Sequence, residues 1–174
     1  MSKFKKGGKK EEETPAAEVL ADGRVVSQPG DGSCLFHSLS FGLGRGDATM
    51  LRREVADHVA THPNETISGT PIKDWVLWDT GLGVKDYACR MGAGSQWGGA
   101  IEMAVCSMIK GVDINVYEAS GGKRYRRISA FVGAGSGTHD QINIVYSGRV
   151  HYDALEVSRT TLVPKDTSGY EIKR

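Results

Sequence analysis

Apolar residues recur along this chain with two different periods, first three to four residues and later two. Leu35, Phe36 and Leu39 fall on one face of a short helix that begins after Asp31 and ends in the glycine-rich stretch 42–46. Leu51, Val55 and Val59 repeat every four residues in a second helix, which Asp47 is placed to cap and His62-Pro63 to stop. Residues 71–92 carry Trp75, Trp78 and Tyr87 among turn residues and predict short helical pieces. Gly98-Gly99 opens the most apolar helix, Ala100–Lys110, with Gly111 where a left-handed C-terminal residue belongs.

Beyond Gly111 the period changes. Val112, Ile114 and Val116 alternate with polar neighbours, which is the pattern of a strand with two unlike faces. Ser120-Gly121-Gly122 supplies a turn, and Arg124–Ile128 reads as the partner strand. Gln141–Tyr146 alternates again, and Ser147-Gly148 predicts a tight hairpin into Arg149–Asp153. A short strand at Arg24–Ser27, cut off by Pro29-Gly30, precedes all the helices. Helices first and an antiparallel-leaning sheet afterwards predict an α+β fold rather than a doubly wound one.

The length, 174 residues, suits one domain with a core that needs no disulfide or metal staple. With 22 Lys+Arg against 21 Asp+Glu, the chain is neither a basic nucleic-acid coat nor an acidic disordered polymer. The charge is uneven, however: residues 1–13 hold five lysines followed by three glutamates, and the rest of the chain is slightly acidic. That composition predicts a disordered lysine-rich tail over residues 1–20, a folded domain over 21–163 and a polar tail over 164–174. No apolar run reaches the roughly 18 residues of a membrane span, and the amino terminus lacks the apolar region of a signal peptide. The expected setting is cytoplasmic or nuclear, with no membrane or specific nucleic-acid partner.

Three cysteines, Cys34, Cys89 and Cys106, leave at least one thiol unpaired, and no CxxC or His/Cys spacing suggests a metal. Cys106 sits among Ala104, Val105, Met108 and Ile109 and reads as core. Cys89, after Tyr87-Ala88, reads as buried filler, with a redox-sensitive surface thiol as the other reading. Cys34 differs, because it stands at the first turn of a helix behind Gly30 and Gly32. Unpaired N–H groups there favour a thiolate and can receive an oxyanion. Further on, His151 and Asp153 are two apart on a strand and face one side, so the carboxylate can orient the imidazole. Beside Cys34 they would complete a nucleophile, a base and an orienter. His139-Asp140 is a rival pair, but adjacent strand residues face opposite ways. His58 and His62 read as cations near a helix end, Glu102 as a loop anchor and Trp97 as a packing residue.

Four segments together resemble one family. DGSCLFHS (residues 31–38) resembles the cysteine box of the ovarian-tumour (OTU) deubiquitinases, and WGGAIEMA (97–104) their second box. INVY (114–117) resembles the strand that follows, and VHYD (150–153) the histidine box, all in the family's order across residues 25–157. The resemblance implies a papain-like OTU fold, with a small twisted, mostly antiparallel sheet packed between helices. It implies a thiol-dependent ubiquitinyl hydrolase that cleaves (iso)peptide bonds after the carboxy-terminal glycine of ubiquitin through a thioester, with no cofactor. Carried over, Cys34 is the nucleophile, His151 the general base and acid, and Asp153 the orienter. Asp31 shapes the oxyanion hole or serves as an alternative acidic partner. Gly32, Ser33, Trp97, Gly98, Gly99 and Tyr152 become candidate substrate contacts, and the loop Phe131–His139 is expected to order on the substrate. The implied partners are ubiquitin, polyubiquitin or a ubiquitin-like modifier, met by a monomer; a non-catalytic ubiquitin-binding module is the alternative. His37 stands where many members carry Arg, and Met103 where Leu is common.

Overall fold

A computed structural model describes residues 17–164, apart from residues 45, 95, 136 and 137. Most of both expected tails therefore lies outside the described residues. The order of elements is β1 (Ala17–Val26), α1 (Cys34–Gly42), α2 (Ala48–Thr61), β2 (Thr66–Ile67), β3 (Thr70–Pro71), α3 (Ile72–Thr80), α4 (Val84–Gly92), α5 (Ala100–Lys110), β4 (Val112–Ala119), β5 (Arg124–Phe131), β6 (Asp140–Ser147) and β7 (His151–Pro164).

The helices end where local chemistry ends them. Asp47 accepts a hydrogen bond from the Thr49 N–H at 2.7 Å and caps α2. Gly81 and Gly111 close α3 and α5 in the left-handed conformation. Their apolar faces meet in one core. Leu35, Phe36 and Leu39 of α1, Leu51, Val55 and Val59 of α2, and Val105 and Cys106 of α5 pack with Ile114, Val116, Ile142 and Ile144 of the sheet.

The α+β expectation holds: five strands, ordered β1-β5-β4-β6-β7, form a barrel that closes because β1 pairs with both β5 and β7. All these pairs are antiparallel except β4 with β6. The strands alternate faces, so Ile114 and Val116 look to the helices while Tyr117 turns into a small second cluster with Ala21, Tyr125, Val145 and Leu155. Closure of the sheet on itself, rather than a second helical layer, surrounds that cluster.

Two expectations about the strands need correction, and the glycine-rich segment is placed as well. β1 begins at Ala17 instead of Arg24, so residues 17–20, assigned to the tail, are hydrogen-bonded strand. The hairpin loop is Gly148–Val150, with Gly148 and Arg149 both at positive φ and the Val150 N–H donating to the Ser147 carbonyl at 3.2 Å; the return strand starts at His151. The glycine-rich segment after Phe131 lies at the start of β4, where Asp113 Oδ1 accepts the Gly133 N–H and pairs with His139 Nδ1, each at 3.0 Å. Because β4 and β6 run parallel, that segment sits at the opposite end of β6 from His151, about 23 Å away at ~3.3 Å per residue. Its described residues do not line the cleft around Cys34.

Candidate active site

Cys34 is the first residue of α1, so its thiol stands at a helix end with N–H groups that have no intrahelical acceptor. The preceding turn is possible because Gly32 adopts φ +84°, a conformation L side chains rarely take. Ser33 occupies the N-cap position yet makes no side-chain cap. Asp31 holds this turn instead: its Oδ1 accepts the Ser33 N–H at 2.8 Å and its Oδ2 pairs with His37 Nε2 at 2.9 Å. The hydrogen bond from His37 and that from the Ser33 backbone hold the Asp31 carboxyl below its ordinary range.

His151 opens β7 and its Nε2 lies 3.0 Å from Asp153 Oδ1. The same carboxylate oxygen accepts the Gln28 N–H at 2.8 Å, tying β7 to the segment that leads to Cys34. The hydrogen-bonded acid of His151 is therefore Asp153, while Asp31 is engaged with His37. The rival His139 pairs with Asp113 rather than with its neighbour Asp140.

Cys34 lines a cleft of about 500 Å³ together with Gly32, Leu35, Asp79, Trp97, Gly98, Gly99, Tyr146, Arg149, Val150 and Tyr152. Of the candidate substrate contacts, Gly32, Trp97, Gly98, Gly99 and Tyr152 lie on it; Ser33 does not, its hydroxyl accepting from Arg52 at 3.2 Å. Trp97 is 68% exposed, so it forms a wall of the cleft and is not the packing residue expected. Tyr152 packs against Tyr146 with ring centroids 4.8 Å apart and the planes tilted by 31°, and burial pushes its hydroxyl up to about 12.

The Trp97–Gly99 wall is pinned from behind. Glu102, 2% exposed, accepts the Gly99 N–H at 2.7 Å through Oε2 and the Tyr87 hydroxyl through Oε1. This is the loop-anchoring role its position suggested, and burial raises its pKa. Gly98 lets the wall lie against α1, since a Cβ there would stand 2.8 Å from Leu35 Cδ2.

Sequence reasoning missed Arg52. It is 2% exposed on the apolar face of α2, and its guanidinium donates to the carbonyls of Gly32 and Gln96, each at 2.7 Å. The visible signal was a lone charge four residues from both Ala48 and Ala56 on a buried stripe. Asp79 and Tyr146, which also line the cleft, carried no signal of their own. Of the remaining thiols, Cys106 is fully buried and burial pushes it up to about 12, whereas Cys89 is exposed, contrary to its reading as filler. The cause is the outer face of α4, whose inner face is taken by Tyr87, Ala88 and Met91. Among the described residues no helix is long and apolar enough to cross a membrane.

A cysteine at a helix N-terminus, lining a cleft that is also lined by Tyr152 from the strand carrying a hydrogen-bonded His/Asp pair, is the arrangement of a cysteine protease. The family model of OTU-like cysteine proteases matches residues 29–154, and the chain belongs to that family. It is 32% identical over 150 residues to the ovarian tumor domain-containing deubiquitinating enzyme 4 of Arabidopsis thaliana, covering 79% of this chain and 44% of that protein. It is 25% identical over 139 residues to the RNA-directed RNA polymerase L of Crimean-Congo hemorrhagic fever virus, covering 76% of this chain and 3% of that protein. The chain thus spans less than half the length of either relative. Among solved structures, an OTU domain in complex with ubiquitin superposes with a TM-score of 0.58 at 28% identity, covering 86% of this chain and 77% of the other.

Proposed function

We propose that this chain is a deubiquitinating cysteine protease that hydrolyses the bond after the carboxy-terminal glycine of ubiquitin through a Cys34–His151–Asp153 triad. The observation that carries the reading is the hydrogen-bonded His151–Asp153 pair flanking Tyr152, which lines the same cleft as Cys34 at the N-terminus of α1. Asp153 engages Nε2 of the imidazole, so Nδ1 is the nitrogen that takes the Cys34 proton. The thiolate attacks the glycine carbonyl, and first-turn N–H groups of α1 receive the oxyanion. The imidazolium protonates the departing lysine amine, and water then hydrolyses the thioester.

Two further points support ubiquitin as the substrate. Three of the cleft residues, Gly32, Gly98 and Gly99, have no side chain, which suits a diglycine tail. The 28% identical OTU domain was solved with ubiquitin, and the Arabidopsis relative is named as deubiquitinating.

Ubiquitin carrying a carboxy-terminal propargylamide is expected to form one adduct, on Cys34, and none with Cys34→Ala. Asp153→Asn is expected to lower kcat by more than about 10-fold, because the imidazole loses its orienting acid. An adduct only with a ubiquitin-like modifier bearing the same electrophile would reassign the substrate. Absence of any adduct from a folded protein would refute the activity.

A further inference from the structure

Arg52 has more to do than fill a core position. Its Nη2 donates to the Gly32 carbonyl at 2.7 Å and to Ser33 Oγ at 3.2 Å, while Nη1 donates to the carbonyls of Gln96 at 2.7 Å and Met91 at 3.2 Å. The guanidinium lies over the Phe36 ring, 4.4 Å from its centroid. One buried cation thus joins the turn before Cys34, the end of α4 and the Trp97–Gly99 wall. Only a planar fork with donors on two terminal nitrogens can reach all three; an ammonium cannot.

Ser33 shows what this does. A serine at an N-cap position ordinarily turns its oxygen onto the N–H groups of the helix's first turn. Here it makes no such cap, and its hydroxyl is held by Arg52. The Gly32–Ser33 peptide is gripped at both ends, its carbonyl by Arg52 and its N–H by Asp31 Oδ1 at 2.8 Å. The first-turn N–H groups beside Cys34 are thereby left without a side-chain acceptor, and the peptide preceding them is fixed.

We propose that Arg52 is a positioning residue that keeps the oxyanion-binding backbone of α1 open, by gripping the Gly32 carbonyl and drawing the Ser33 hydroxyl away from capping the helix. The inference rests on the protease reading and sharpens it. Without Arg52, the Ser33 oxygen falls back onto the first-turn N–H groups and competes with the substrate's oxyanion. Removing an oxyanion donor typically lowers turnover by about 10²–10³-fold.

The test is a cycle of Arg52→Met and Ser33→Ala, read as kcat and KM on a fluorogenic ubiquitin amide, with thermal unfolding alongside. Arg52→Met is expected to lower kcat by about 10²-fold or more, with KM changed only a few-fold. The same change in the Ser33→Ala background is expected to lower kcat by at least ~5-fold less, a coupling that general loss of packing does not produce. Arg52→Lys, which keeps the charge without the fork, serves if Arg52→Met does not fold, and the same coupling with Ser33→Ala is expected. A second readout needs no ubiquitin: acylation of Cys34 by p-nitrophenyl acetate passes through an oxyanion, whereas its alkylation by iodoacetamide does not. Followed at Cys34 by mass spectrometry, the ratio of the two rates is expected to fall in the Arg52 variants. A folded variant with unchanged kcat and ratio, or a loss of kcat that Ser33→Ala leaves undiminished, overturns the role of Arg52. A wild-type protein inactive on ubiquitin yet showing the ratio effect overturns the substrate alone.

Discussion

Gly98 offers a quantitative test of how the cleft wall is seated. A methyl group added there would stand 2.8 Å from Leu35 Cδ2, 3.0 Å from Phe36 Cε2 and 3.3 Å from Phe36 Cζ. Relaxed carbon contacts lie at about 3.5–4.0 Å, so the neighbours or the wall must give by roughly 0.5–1 Å. Leu35 and Phe36 are 1% and 0% exposed, in an interior packed to nearly crystal density. Overpacking of this kind costs about 1–3 kcal/mol. For a chain of this size each kcal/mol lowers Tm by about 2–4 °C. The wall is held at Gln96 by Arg52 and at Gly99 by Glu102, so the strain reaches the Cys34 side of the cleft. A displacement of ~1 Å there can lower turnover by about 10²-fold. Gly99 is the internal control for packing, because nothing lies within 4 Å of a Cβ at that position. Gly98→Ala is therefore expected to lower both Tm and turnover of the ubiquitin amide, while Gly99→Ala, which adds a methyl to the open cleft, raises KM and lowers Tm less. Calorimetry and steady-state kinetics on the two variants read this directly. A Gly98→Ala protein with wild-type Tm, or a Gly99→Ala protein equally destabilised, would refute the packing argument.

Two further outcomes follow from buried groups. Burial holds the Glu102 pKa above its ordinary value of 4.5, so the folded state binds this proton more tightly than the unfolded chain. The group's stabilising contribution is complete below 4.5 and is lost as pH rises through the folded value. Glu102→Gln has no proton to lose and is expected to gain stability relative to the wild type as pH rises from 4 to 8, read from urea midpoints; a constant difference would contradict the assignment. The thiols divide by accessibility: iodoacetamide at pH 8 is expected to modify exposed Cys89 in the native protein and to reach fully buried Cys106 only after denaturation. Mass spectrometry showing native labelling of Cys106 would contradict the core placement.

Much of the site was legible in the chain because its parts are local. Cys34 at a helix start and the i, i+2 spacing of His151 and Asp153 on a strand follow from backbone periodicity alone. The boundaries of α2 and α5 were equally readable, since Asp47 and Gly111 act within one turn of themselves. β1 was read too short because only Ala21 along it is buried, leaving little alternation to detect. Its strand state depends on backbone pairing with β7 and β5, more than 100 residues away.

The sequence by itself determined the α+β class, the identity of the nucleophile candidate and the pairing of an imidazole with a carboxylate two residues on. Each is set by interactions within a turn of helix or a few residues of strand. Tertiary structure alone decided that Asp31 turns to His37, that Trp97 stands open on the cleft, that the glycine-rich segment lies far from it and that Arg52 grips the turn before Cys34. Those outcomes depend on which carbonyl, ring or carboxylate comes within about 3–4 Å once the chain has closed. Sequence spacing carries no record of contacts between residues 20 to 44 positions apart, such as those Arg52 makes.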